Sequence, residues 1–167
     1  MPILSVGRAS KRRAGVTLVE MLIVVTLLSL MVGITFPSIS SGVETLRLNS
    51  AAEDVVGFFN FAINRAERRQ HAIEVTISRE ANALIARSPE PGFERVVRFP
   101  DRVTILAIVP PLPMEDPRGR RILIMPGAPP PRTGVVLANA KGDRRLIRLD
   151  PVSGLPQVVK LGPRETE

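Results

Sequence analysis

The chain has no cysteine, no tryptophan, no tyrosine and a single histidine, His71, in 167 residues. Each absence removes a class of chemistry. Without cysteine there is no disulfide, no thiolate nucleophile and no thiolate metal site. One histidine leaves no ordered Ser-His-Asp set, and His71 reads as a boundary residue at a helix end. Glycine patterns of the P-loop and Rossmann kinds are missing as well. Glu115 and Asp116 form an acidic pair in a proline-rich loop, but two adjacent carboxylates without further donors read as solvated. The sequence therefore predicts no enzyme, no cofactor and no metal.

Acidic residues are also missing where the chain begins. No Asp or Glu precedes Glu20, whereas Arg8, Lys11, Arg12 and Arg13 do. From Val16 to Phe36 run 21 positions, of which only Glu20 is charged. At about 1.5 Å per residue such a helix is roughly 30 Å long, one bilayer core. The preceding cations should hold the start of the chain in the cytoplasm while the rest crosses. The run exceeds the ~7–15 apolar residues of a secretory signal, and Gly33 to Ser40 is a poor cleavage site. An ordinary anchor would explain the run but not Glu20. An unpaired carboxylate costs on the order of 2.5–3.5 kcal/mol at the bilayer centre, and less towards the interface.

Gly15 followed by Val16-Thr17-Leu18-Val19-Glu20, behind a basic leader, resembles the class III signal of type IV pilins and type II secretion pseudopilins. The resemblance implies that a prepilin peptidase cuts between Gly15 and Val16 and that the new Val16 amine is methylated. It also implies that Glu20, fifth in the mature chain, serves subunit assembly by meeting the N-terminal amine of a neighbour. Val16 stands where phenylalanine is usual in the family. On a helix, Glu20 and Val16 would also share a face, which allows an intrachain pair. Pro37 falls where the family often has a kinking proline, and Ser29, Gly33 and Pro37 recur every four residues. Gly33 and Pro37 are therefore expected to make a weak point where the helix bends during packing. The simpler alternative is a helix that ends at Pro37.

The rest divides by pattern. Leu48, Ala52, Val55, Phe59, Ala62 and Ala66 recur at steps of three and four, giving an amphipathic helix over 42–69 with Ser40 or Ser41 as cap. Arg47, Glu53, Asp54, Asn60, Asn64, Glu67 and Arg68 fall mainly off the stripe. Strands are expected at 73–78, 83–87, 93–99, 103–109, 121–125, 134–139, 144–149 and 157–161. The proline-rich stretches 110–117 and 126–131 must be loops or sheet edges. One helix followed by antiparallel strands in one compact unit is an α+β fold. The expected divisions are a cleaved leader, 1–15; a transmembrane and filament-core helix, 16–37; its amphipathic half, 38–71; and an exported β domain, 72–167.

The stretch Ile122 to Gly127, then Gly134 to Asn139, then Leu146 to Asp150 with Gly154 is similar to the C-terminal repeat of H-type minor pseudopilins (GspH) and their FimT-like kin in type IV pili. That resemblance implies a pilin-like fold and a structural subunit of the type II secretion pseudopilus, assisting protein export across the outer membrane. The partners it implies are the prepilin peptidase, major and minor pseudopilins and the inner-membrane assembly platform. The implied location is the bacterial inner membrane, single pass, with the C-terminal domain in the periplasm. The alternative is a minor pilin of a type IV pilus with a role in DNA binding or uptake. Arg118 to Arg121 and Lys141 to Arg145 would be its basic turns. Removing the four leader cations and Glu20 leaves 19 basic and 15 acidic residues, net +4, in the exported part. That modest charge, with no Trp or Tyr to stack on bases, argues against nucleic acid.

Overall fold

The computed structural model describes residues 16–113, 116, 119–150 and 152–162, with side chains except at 35–41. The chain forms one helix, α1 (Leu18–Arg69), followed by eight strands. These are β1 (Ile73–Ser78), β2 (Ala83–Arg87), β3 (Glu94–Arg98) and β4 (Val103–Val109), then β5 (Arg120–Ile124), β6 (Gly134–Asn139), β7 (Arg144–Leu149) and β8 (Pro156–Leu161). Two compact units divide between Ile39 and Ser40.

Helical structure continues through residues 35–41, so neither a stop at Pro37 nor a fresh start capped by Ser40 or Ser41 occurs. One proline removes one rung of the ladder at a cost of about 3 kcal/mol, which the many turns on either side of it absorb. The helix closes at Gln70, which takes a left-handed φ of 52° where glycine is usual. Its side-chain amide donates to the Glu67 carbonyl at 2.6 Å. His71 follows, exposed, beside the Arg69 carbonyl.

In the second unit the predicted stripe is buried from Leu48 to Ala66, and Ala51 and Phe58 widen it. Phe58 and Phe59 meet edge to face, with ring centroids 5.9 Å apart. Small residues on this face let the strands come close to the helix. The expected antiparallel strands are arranged as two sheets of four, ordered β3-β2-β1-β5 and β4-β6-β7-β8. Both supply apolar side chains to the core that α1 lines. Strand β1 buries Ile73, Val75 and Ile77 by simple alternation. Strand β4 departs from it. A bulge between Ile105 and Ala107 shifts the register against β6, so Val103, Ile105 and Ile108 all face inward. Strand β6 is buried along its whole length, because Val136 packs with Leu146 and Leu161 on the opposite face.

Two polar seams tie α1 to the strands. Near the start of the unit, Arg102 donates to the buried Glu44 carboxylate at 2.8 Å, and Arg145 donates to Asn49 at 3.1 Å. Thr45 reaches Asp143 at 3.4 Å. Near the helix end, Glu67 accepts the Gly127 amide at 2.9 Å. There Arg65 also binds Glu90 and lies 3.6 Å over the Phe93 ring, which stacks on Phe61. Glu44 is 5% exposed and one of its oxygens has no partner, so its charge depends on Arg102, with Arg47 more distant at 3.6 Å. Arg102→Ala is expected to cost about 1–3 kcal/mol, since it strands a buried carboxylate. Glu44→Leu should cost less, because it removes the buried charge altogether. Urea unfolding of both variants checks the order.

Candidate assembly site

Thr17 sets the start of the first unit. Its carbonyl accepts the Met21 amide at 3.2 Å, and its hydroxyl accepts the Glu20 amide at 3.2 Å. Thr17 is thus the N-cap and Glu20 the third helical residue, the spacing of a capping box. The pattern Thr-x-x-Glu at Thr17 to Glu20 is the sequence signal of this cap. It changes the geometry at Val16. Val16 lies outside the helix, so the helical i, i+4 relation to Glu20 expected from spacing is not imposed on the pair.

Beyond the cap the helix is apolar and bare. Thirteen large apolar side chains between Leu18 and Ile34 are between 44% and 81% exposed. Burying each is worth on the order of 1.5–3 kcal/mol, so together they outweigh the roughly 5–15 kcal/mol stability of an ordinary domain. Such a surface requires a covering. The polar side chains within it are already satisfied: Thr26 donates to the Leu22 carbonyl at 2.7 Å and Ser29 to the Val25 carbonyl at 2.8 Å. These local bonds let hydroxyls enter an apolar medium without water. Glu20 is the exception, for its carboxylate has no partner among the described residues. Among those residues no helix is long and apolar enough to cross a membrane.

The other expected site residues are placed as follows. Gly15 lies outside the described residues. Gly33 is helical, with open space where a Cβ would stand. Pro37 is helical in its backbone, and its side chain lies outside the described set. The basic turns are partly used up: Arg145 is buried on Asn49, and Arg120 donates to the Pro110 carbonyl at 2.7 Å. Arg118 and Glu115 lie outside the described residues. No cluster of three or more His, Cys, Asp or Glu that could hold a metal occurs among the described residues.

The prokaryotic N-terminal methylation motif matches residues 10–36. No curated protein matches the chain. Among solved structures, the minor pseudopilin EpsH from the type 2 secretion system of Vibrio cholerae is similar, with a TM-score of 0.51 at 8% identity. The match covers 71% of this chain and 99% of that one. At that identity the likeness is one of fold. A methylation motif of prepilin type, leading into a helix followed by an antiparallel β domain like that of a pseudopilin, makes this chain type IV pilin-like.

Proposed function

We propose that this chain is an H-type minor pseudopilin, a structural subunit of a type II secretion pseudopilus that assists protein export across the outer membrane. The observation carrying the reading is a prepilin-type motif running directly into a bare apolar helix whose one carboxylate, Glu20, has no partner among the described residues. The fold likeness to a minor pseudopilin supports it. In this reading a prepilin peptidase cuts after Gly15, and the Val16 amine is methylated. The helix anchors the subunit in the bacterial inner membrane by a single pass, with the β domain in the periplasm. In the filament the same apolar surface is covered by neighbouring pseudopilins, recruited at the inner-membrane assembly platform. The subunit performs no catalysis and needs no cofactor.

The intact mass of chain recovered from membranes containing the peptidase tests maturation. The expected product lacks Met1 to Gly15 and carries one methyl group. A mature chain that keeps Arg12 and Arg13 would overturn the reading. Co-purification with pilus fibres from a cell lacking secretion genes would favour the type IV pilus alternative.

A further inference from the structure

The ends of three strands enclose a cleft that the filament reading does not use. The cleft is about 460 Å³ and lies where β4 ends, β6 begins and β7 ends. Val109 and Pro110 form its apolar wall, Leu149 closes it from the buried core side, and Arg132 and Arg148 stand on its rim. The volume falls within the range of sites for small ligands or short peptide segments. Its position within the second unit follows from the polar seams. Glu44, Thr45 and Asn49 meet Arg102, Asp143 and Arg145, at the opposite ends of these strands. Glu67, about six turns further along the helix, meets the Gly127 loop that leads to Arg132. The cleft is therefore at the end of the unit far from Ser40.

Its charge is unbalanced. Neither Arg132 nor Arg148 has a hydrogen-bond or ion-pair partner among the described residues. Asp150 is the one acid lining the cleft, and its carboxylate is committed elsewhere. One oxygen accepts the Val152 amide at 2.8 Å and the Ser153 amide at 3.3 Å; the other accepts Gln157 Nε2 at 2.9 Å. The Val152 amide, then that of Ser153, hold this carboxyl below its usual range, with Arg148 a smaller cause. Asp150 thus stays ionised and turned into its own loop even in mild acid. Two guanidinium groups are left over an apolar pocket, with Val152, 95% exposed, on the rim. Planar guanidinium groups match carboxylates in bidentate geometry, and apolar walls suit aliphatic side chains.

We propose that this cleft binds an acidic, aliphatic peptide segment of another protein, its carboxylates on Arg132 and Arg148 and its side chains on Val109 and Pro110. Peptide is favoured over nucleic acid because the cleft has no aromatic ring for base stacking and only two free cations to neutralise phosphates. The inference depends on the β domain alone, so its failure leaves the pseudopilin reading standing, and the reverse holds too.

The test uses the full chain in detergent micelles and a fluorescent eight-residue peptide of alternating Glu and Leu, followed by anisotropy. A Gln-Leu peptide and a 12-base single-stranded oligonucleotide serve as comparison probes. The expected result is saturable binding of the Glu-Leu peptide, weakened about fivefold or more by Arg132→Ala or Arg148→Ala and abolished by both. Arg121→Ala, on another exposed face, should leave binding unchanged. Equal binding of the Gln-Leu peptide, or full binding by the double variant, would overturn the proposal. Tighter binding of the oligonucleotide, lost in the same double variant, would replace it with a nucleic-acid site. Unchanged thermal unfolding of the double variant shows that lost binding is not lost folding.

Discussion

Glu20→Leu is expected to leave the protein membrane-bound, its β domain folded and its leader removed, while incorporation into filaments falls by an order of magnitude or more. The reason is the medium. A carboxylate in an apolar surround is strongly penalised unless a cation meets it, and stranding one partner of a buried pair costs about 3–5 kcal/mol. Cleavage after Gly15 would create such a cation at Val16. Because Thr17 caps the helix, Val16 stands outside it, and no helical geometry ties the amine to its own Glu20. That leaves the Glu20 charge available to the amine of a neighbouring subunit. A competing account is that Glu20 serves only the capping box and the helix dipole. Two further variants separate these accounts. Glu20→Gln keeps the capping geometry and loses the charge, so it should assemble almost as poorly as Glu20→Leu. Thr17→Ala removes the cap and keeps the charge; it should cost about 1 kcal/mol of local helix stability and assemble well. Filament content measured by shearing and immunoblot decides. Normal assembly of Glu20→Gln would make the carboxylate a helix-start signal and nothing more.

Much of the β domain was legible because its signals are local. Alternation marked β1, and turn residues such as Lys141-Gly142-Asp143 bounded β6 and β7. All eight observed strands lie within a residue or so of their expected bounds. What could not be read depends on contacts far apart in sequence. Nothing in the order of strands says that β5 leaves its neighbours to pair with β1, yet Ile122 lies opposite Val75. The bulge in β4 is likewise fixed by the core it faces and not by its own residues. The cleft is assembled from Val109, Arg132 and Arg148, which no motif links. At the other end of the chain the position of Glu20 was readable, but its role as third helical residue required the Thr17 hydrogen bond to be seen.

Asn82 shows how much one turn residue can carry, and Asn82→Ala is expected to destabilise the β domain by about 2–4 kcal/mol. It sits between β1 and β2 with a left-handed φ of 47°, a conformation asparagine tolerates better than most residues. Its backbone closes the turn, donating to Arg79 at 3.3 Å and accepting from Phe99 at 3.1 Å. Its side chain then reaches the other sheet. The amide nitrogen donates to the Val103 carbonyl at 2.7 Å, and the amide oxygen accepts the Ile105 amide at 3.0 Å. Strand β4 is an edge strand, so these backbone groups face away from its only sheet partner, β6. Asn82 therefore satisfies an edge that would otherwise be open, and couples the two sheets. Truncation leaves one donor and one acceptor unpaired in a partly buried place, at about 1–3 kcal/mol each before relaxation or water relieves them. Asn82→Gly removes the same side chain while easing the φ strain, so it should fall just short of the alanine loss. Asn82→Asp keeps the acceptor for Ile105 but loses the donor and sets a carboxylate against the Val103 carbonyl. It should be worse than glycine at neutral pH and recover in part when acid protonates it. Thermal unfolding of the three variants at pH 7 and pH 4 tests this order, and an alanine variant as stable as wild type would show that water replaces the side chain at no cost.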